Sequence, residues 1–185
     1  MLRPQDNLIL LKVISIRDSA AKPIENEIWK EPEFRLRYSI LGTNAGISTS
    51  QAFESAKRLI EAGLINKDLT VRHRAASEWL IHGVKYFQPP SYGGLTRGML
   101  TSYAAEPLRA KFVEFDVAQE PPPVWPLADG VRGIAFEPIY KTAPLAAERD
   151  PRLKEYLVLL DAIRSGRSRE SAIAIDMLKQ NLGVA

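Results

Sequence analysis

The sequence contains no cysteine and only two histidines, His73 and His82. The lack of cysteine excludes disulfide bonds, cysteine-ligated zinc sites and thiol nucleophiles. Two histidines are too few for a histidine-rich metal centre, and we expect no cofactor. The longest apolar runs, Leu8–Leu11 and Tyr156–Leu160, are far shorter than the roughly 20 residues of a membrane span. Because residues 1–7 show no signal-peptide pattern, we expect a soluble, cytoplasmic protein.

Catalytic motifs are missing as well. The glycine-containing stretch Ser91–Gly98, which we predict to be a loop, lacks the ending of a phosphate-binding P-loop. The chain has no GxGxxG and no serine nucleophile elbow. Glu114 and Asp116 have the spacing of a carboxylate pair on a strand, which fits a divalent metal site or an ordinary polar face. We therefore expect that the protein is not an enzyme.

Positive charge is concentrated in one part of the chain. The formal net charge is only +3, but residues 34–97 carry nine basic and four acidic side chains, a net of +5. The flanking segments, residues 1–33 and 98–185, carry −1 each. A local positive excess attracts polyanions by releasing their counterions, although a solvated protein surface can have the same composition.

The hydrophobic pattern predicts a mainly α-helical fold with a small β component. Residues 8–16 form a helix that is apolar on nearly all sides, so core packing and a subunit contact are both expected to cover it. An amphipathic helix is predicted at Ala75–Phe87. We divide the chain into a helix-turn-helix domain, residues 1–88, and a C-terminal region, residues 89–185.

The C-terminal region is predicted to contain a strand pair and a helical hairpin. Lys111–Val117 alternates apolar and acidic residues, and it is expected to pair with a strand in Val131–Tyr140 across the extended Pro121–Pro126 segment. One apolar stripe predicts a helix at Arg152–Ser165, and Ser168 is the expected N-cap of the last helix. This region is expected to serve dimerisation or the binding of a partner protein.

Residues 35–65 give the most specific local signals. A first helix is expected to end at Gly46, where glycine can adopt a left-handed conformation. Ser48 and Gln51 have the spacing of a capping box, in which each side chain bonds to the other residue's backbone amide. The second helix is expected to stop at Gly63. The pattern therefore predicts two short helices joined by a tight turn.

The run from Ser39 to Ala52, continued by Ala56–Ile65, resembles the helix-turn-helix of winged-helix bacterial transcriptional regulators of the MarR type. The resemblance rests on three short segments: Gly46-Ile47-Ser48 at the turn, the basic pair Lys57-Arg58, and Glu61–Ile65 at the end of the second helix. The resemblance implies that residues 48–58 lie in the DNA major groove. It also implies a repressor-type homodimer that binds double-stranded DNA.

The expected DNA contacts are of two kinds. Short polar side chains at the start of the second helix can reach base edges, and basic side chains suit the phosphate backbone. The predicted contacts are Ser48, Thr49, Ser50, Gln51, Glu54, Ser55, Lys57, Arg58, Arg37, Lys67, Arg72 and Arg74. Glu54 departs from this pattern because it is acidic. It either accepts a hydrogen bond from the amino group of cytosine or repels phosphate. Only residues 66–74 are available for a wing, so we expect a short loop or a stunted hairpin.

Two other interpretations stay open. The two helices can form an αα-hairpin that binds no ligand. Alternatively, the chain is an adaptor or antitoxin-like subunit that binds a partner protein through a helix-turn-helix scaffold. For a homodimer, the apolar first helix and the C-terminal helical hairpin are the candidate contact surfaces.

Overall fold

A computed structural model describes residues 1–21, 38–112 and 121–184 of the chain. The predicted DNA contact Arg37 lies outside the described residues. So does most of the predicted strand Lys111–Val117, including its pair of carboxylates.

The described chain is mainly helical with a small sheet, which confirms the predicted fold class. The helices are α1 (Pro4–Ala21), α2 (Tyr38–Ala45), α3 (Thr49–Glu61), α4 (His73–Glu78), α5 (Val84–Phe87), α6 (Ala143–Arg149), α7 (Pro151–Ser165) and α8 (Ser168–Leu182). The strands are β1 (Tyr92–Leu100), β2 (Pro123–Pro126) and β3 (Val131–Phe136). A π-helical turn, Trp79–Gly83, joins α4 to α5, and short 3-10 helices lie at Ser102–Ala104 and Arg109–Lys111. No described helix is long and apolar enough to cross a membrane.

Helix α1 is enclosed by its own chain. The side chains of Leu8, Leu11 and Val13 are fully buried, and α1 packs against α2, α3 and α7. The prediction of a helix at residues 8–16 is confirmed. Because intramolecular packing covers the apolar side chains of residues 8–16, these offer no free apolar surface to a second subunit, and the expected subunit contact at this segment was wrong.

One hydrophobic core runs through both predicted domains. Its buried members include Leu41 and Leu59 from the first and Trp125 and Leu157 from the second. The predicted boundary at residue 88 therefore does not divide the core.

The glycine-rich stretch predicted to be a loop is strand β1. It pairs antiparallel with both β2 and β3, and β2 pairs parallel with β3, so the three strands close on one another. A Cβ atom at Gly98 would lie 1.9 Å from the carbonyl oxygen of Trp125. The loop prediction was wrong because glycine serves here to let two strands approach closely.

Strand β3 confirms the expected strand within Val131–Tyr140, although its described partners are β1 and β2. The Pro121–Pro126 segment, which was expected to be an extended connection between two strands, itself contributes strand β2. Helix α7 ends at Ser165, before Gly166 as predicted, and Gly166 is its C-cap with φ of 72°. Ser168 was wrongly predicted as an N-cap, since α8 begins at Ser168 and its N-cap, Arg167, makes no side-chain capping bond.

The π-helical turn depends on a glycine beside a fixed indole ring. A Cβ atom at Gly83 would lie 2.4 Å from Trp79 Cε3. The ring cannot shift freely, because Trp79 Nε1 donates to Asn7 Oδ1 at 2.8 Å. The substitution Gly83→Ala is therefore expected to lower the free energy of unfolding by about 1–3 kcal/mol, through overpacking.

Urea denaturation measures this effect, and Gly94→Ala is the matched control. A Cβ atom at Gly94 meets nothing within 4 Å. The control is expected to change the free energy of unfolding by no more than about 0.5 kcal/mol. Equal effects of the two substitutions would contradict the steric role of Gly83.

A buried ion pair connects α1 to the start of α7. Lys12 Nζ and Ser15 Oγ donate to Asp150 Oδ2 at 2.6 and 2.9 Å, and Asp150 Oδ1 accepts from the amides of Arg152 and Leu153. Burial raises the pKa of Asp150, but the charge of Lys12 and these hydrogen bonds outweigh it. The pKa of this carboxyl therefore lies below its ordinary value.

A depressed pKa in the folded state makes stability depend on pH. The contribution of Asp150 is fully present above the ordinary aspartate pKa of about 4, and it is lost as the pH falls through the folded-state value. Between pH 6 and acid pH, the free energy of unfolding is expected to fall more steeply for the wild type than for Asp150→Asn. Parallel pH dependences, measured by urea denaturation, would contradict this role, and the exposed Asp176→Asn is the control.

Candidate nucleic-acid interface

The turn between α2 and α3 confirms the predicted capping box. Gly46 has φ of 69°, and Ser48, at φ −70° and ψ 157°, is the N-cap of α3. Ser48 Oγ accepts from the amide of Gln51 at 3.2 Å, and Gln51 Oε1 accepts from the amide of Ser48 at 3.0 Å. Reading adenine with both ends of the Gln51 amide would require that same oxygen, so capping and adenine recognition compete.

The exposed face of α3 is polar with one aromatic residue. Ala52, Ala56 and Leu59 are buried in the core. The exposed side chains are Thr49, Ser50, Gln51, Phe53, Glu54, Lys57 and Glu61. Most of the predicted base contacts thus lie at the solvent surface.

Phe53 is the surface residue that the sequence analysis missed. It is 47% exposed, and its ring packs edge-on against Tyr38 of α2 at a centroid distance of 5.0 Å. Phe53 lies four residues after Thr49 and four before Lys57, so helical spacing alone could have placed it on this face. An exposed aromatic side chain here can contact a thymine methyl group or a protein partner.

The side chain of Arg58 is paired within the protein and is not free to bind a ligand. Its Nε and a terminal nitrogen donate to the two carboxylate oxygens of Asp6 at 2.8 and 2.7 Å. The Asp6 side chain is fully buried and that of Arg58 is 13% exposed. The hydrogen bond that Arg58 donates to Asp6 raises the pKa of Arg58, against the effect of burial. Arg58 was predicted to bind phosphate, but in the structure its guanidinium forms an ion pair that connects α3 to α1.

Ser55 is buried beside this ion pair. Its Oγ accepts from Gln5 Nε2 at 3.0 Å and from Arg58 at 3.2 Å. A fully buried hydroxyl cannot reach DNA, so Ser55 was wrongly included among the predicted contacts.

A short hairpin follows α3, as predicted for the residues available to a wing. Ile65 and Val71 form a β-bridge, and the Asn66 amide donates to the Thr70 carbonyl at 2.8 Å. We call residues 65–74 the basic hairpin. It exposes Lys67, Asp68, Arg72, His73 and Arg74.

The basic hairpin is fixed to the C-terminal end of α3. A terminal nitrogen of Arg72 donates to the Gly63 carbonyl at 3.5 Å. Asp68 Oδ1 accepts from the amide and hydroxyl of Thr70 at 3.0 and 2.7 Å, which lowers the pKa of Asp68. These two hydrogen bonds shape the loop of the basic hairpin.

The exposed charge of this region is smaller than the sequence suggests. With Arg58 neutralised by Asp6, residues 48–74 expose four cations, Lys57, Lys67, Arg72 and Arg74, and three acids, Glu54, Glu61 and Asp68. The net is 4 − 3 = +1, and three of the four cations belong to the basic hairpin. Positive charge is thus concentrated after α3, and the exposed charged side chains of α3 itself, Lys57, Glu54 and Glu61, carry a net of 1 − 2 = −1.

Within the described residues, no group of three or more histidine, cysteine, aspartate or glutamate side chains could hold a metal ion. Comparison of the chain with protein-family models, with curated proteins and with solved structures gives no match.

Proposed function

We propose that the chain binds double-stranded DNA in a sequence-specific manner and regulates transcription as a repressor-type homodimer. Helices α2 and α3 would form the helix-turn-helix, and the basic hairpin would form a short wing. In this arrangement α3 enters the major groove, and the hairpin contacts the flanking phosphates. This proposal rests on the resemblance to MarR-type regulators and on the geometry described above.

One observation carries the proposal. The exposed, capped start of α3 and the basic hairpin lie at opposite ends of one rigid helix. At 1.5 Å per residue, α3 is about 20 Å long, which exceeds the roughly 12 Å width of the major groove. A helix inserted by its start therefore places its other end near a phosphate backbone. The cations of the basic hairpin, Lys67, Arg72 and Arg74, lie at that C-terminal end of α3.

The homodimer requires a surface other than α1. Of the two predicted surfaces, the C-terminal helical hairpin is the one that stays a candidate. Its last helix, α8, leaves Ile173, Ile175 and Met177 only partly buried. Analytical ultracentrifugation of the purified chain tests this part of the proposal, and a monomer at micromolar concentration would contradict it.

Two adjacent cations allow a sharp test of phosphate contact. Lys57 is exposed, whereas the guanidinium of Arg58 is paired with Asp6. Lys57→Ala is expected to lower the slope of log affinity against log salt by about 1, since one phosphate contact is lost. Arg58→Ala is expected to leave that slope unchanged and to lower stability instead.

Fluorescence anisotropy with a duplex of random sequence gives the salt slopes, and urea denaturation gives the stabilities. Gln51→Ala is expected to alter the sequences selected from a random duplex library. A reduced slope for Arg58→Ala with no change for Lys57→Ala would reverse these assignments.

A protein-binding adaptor is the second candidate function. The exposed Phe53 with its half-buried neighbour Tyr38, together with the slightly acidic face of α3, suits a protein partner better than a polyanion. Phe53→Ala distinguishes the two functions. As an adaptor the variant loses partner binding, whereas as a DNA-binding protein it retains the salt slope of the wild type.

A further inference from the structure

Two arginines face each other across the small sheet. Arg97 of β1 and Arg132 of β3 are directly opposed in the antiparallel register, and both side chains are exposed. Directly opposed residues share one face of the sheet, with Cβ atoms about 4.5–5.5 Å apart. Like charges in this position repel each other and destabilise the strand pair.

No carboxylate relieves this repulsion within the described chain. The ion pairs among residues 1–21, 38–112 and 121–184 include neither Arg97 nor Arg132. Asp129, in the adjoining turn, is exposed and lies beyond ion-pair distance of both.

The turn next to the pair holds Arg97 in place. The guanidinium of Arg97 donates to the Gly130 carbonyl at 3.2 Å, and the Arg97 carbonyl accepts from the Leu127 amide at 3.1 Å. Gly130 has φ of +127°, and a Cβ atom there would lie 2.2 Å from the Gly98 carbonyl oxygen. Glycine at both positions lets the turn close on β1, so the charge of Arg97 is positioned before any ligand arrives.

We propose that Arg97 and Arg132 together bind a phosphate group. Guanidinium groups bind phosphate through paired, charge-assisted hydrogen bonds, and an anion between them removes the repulsion. The phosphate can belong to a nucleic-acid backbone or to a free phosphate compound. The site lies on the sheet rather than on α3 or the basic hairpin, so it does not depend on the proposed function.

The first experiment follows thermal unfolding of the full chain with inorganic phosphate as the probe. In phosphate-free buffer of low ionic strength, Arg132→Gln is expected to melt at the temperature of the wild type or above it. Phosphate is expected to raise the melting temperature of the wild type saturably, beyond the effect of chloride at equal ionic strength. The double variant Arg97→Gln/Arg132→Gln is expected to bind phosphate about tenfold more weakly or worse.

Arg109→Gln is the matched control, because Arg109 is also exposed and forms no ion pair among the described residues. It is expected to keep the phosphate response of the wild type. Two results would overturn the site: equal phosphate stabilisation of the wild type and the double variant, or no saturable stabilisation of the wild type.

A second experiment identifies the source of the phosphate by measuring the affinity for duplex DNA at several salt concentrations. If the source is a nucleic-acid backbone, the double variant lowers the salt slope by about 2 and inorganic phosphate competes with DNA. If the source is a free phosphate compound, the double variant leaves DNA affinity unchanged while its phosphate response is lost. Both outcomes support the site. The phosphate arm contains no DNA, so failure of the DNA-binding proposal would not affect it.

Discussion

Replacing Asp161 by alanine is expected to lower the free energy of unfolding by about 3–5 kcal/mol, because it leaves a buried guanidinium without its counter-charge. Asp161 Oδ2 accepts from Thr101 Oγ1 at 2.8 Å and from Trp125 Nε1 at 2.7 Å. Asp161 Oδ1 accepts from Arg164 at 2.8 Å. One carboxylate thus connects α7 to the end of β1 and to β2.

The surroundings of Arg164 explain why removing the Asp161 carboxylate is expected to destabilise the fold strongly. Its side chain is 3% exposed, and its other hydrogen bonds go to neutral carbonyls of Gln88, Pro89 and Glu137. Carbonyls satisfy its donors but do not neutralise its charge. Since a domain of this kind has about 5–15 kcal/mol of stability in total, the variant is expected to lose a large fraction of it and to unfold at a clearly lower urea concentration than the wild type.

Urea denaturation measures the effect, and Asp176→Ala on the exposed side of α8 is the matched control. The control is expected to change stability by no more than about 0.5 kcal/mol. The double variant Asp161→Leu/Arg164→Met is expected to be more stable than Asp161→Leu alone, because it removes both buried charges. If Asp161→Ala lowers the free energy of unfolding by less than about 1 kcal/mol, the counter-charge that Asp161 provides to Arg164 does not stabilise the fold as proposed.

The second large effect concerns the basic hairpin. The triple variant Lys67→Ala/Arg72→Ala/Arg74→Ala is expected to lower the salt slope of duplex DNA binding by about 3, one for each phosphate contact removed. Its affinity is expected to fall for all sequences alike, since phosphate contacts carry no base information.

A control with the same change in net charge separates local contact from general attraction. Lys141, Arg149 and Lys179 are exposed and lie outside the hairpin, so their triple alanine variant loses equal charge elsewhere. It is expected to keep most of the wild-type salt slope. Equal reductions in the two triple variants would argue for diffuse electrostatic attraction and against the hairpin as a wing.

The features that the sequence predicted correctly depend on neighbours in the chain. Ser48 and Gln51 of the capping box are three positions apart. Gly46, Gly63 and Gly166, which follow helix ends, each adopt a positive φ that depends on the residue itself. Short-range chemistry of this kind is visible in one sequence, because it does not depend on the rest of the fold.

The features that it missed depend on distant partners. Strand β1 has a loop-like composition, and it is a strand only because β2 and β3 pair with it and require glycine at the contact with Trp125. Periodicity within a single segment cannot show this pairing.

The exposed charge of the candidate site was also predicted wrongly, because it too depends on residues that are distant in the sequence. A basic residue in a helix pattern looks free, but Arg58 is paired with Asp6, which lies 52 positions away in the sequence. The local charge excess of +5 therefore overstated the exposed positive surface. The apolar helix α1 suggested a subunit contact for a similar reason, since the chain segments that cover it are far away in sequence.

The most direct test of DNA binding is the anisotropy of a labelled random-sequence duplex mixed with the full chain at about 50 mM and 200 mM salt. Contact through four exposed cations, Lys57, Lys67, Arg72 and Arg74, predicts binding at the lower salt concentration. It also predicts an affinity about 10²-fold weaker at the higher one, because the salt slope for four contacts is about −3.6. A chain that stays free of DNA at the lower salt concentration would contradict the proposed function and favour a protein-binding adaptor.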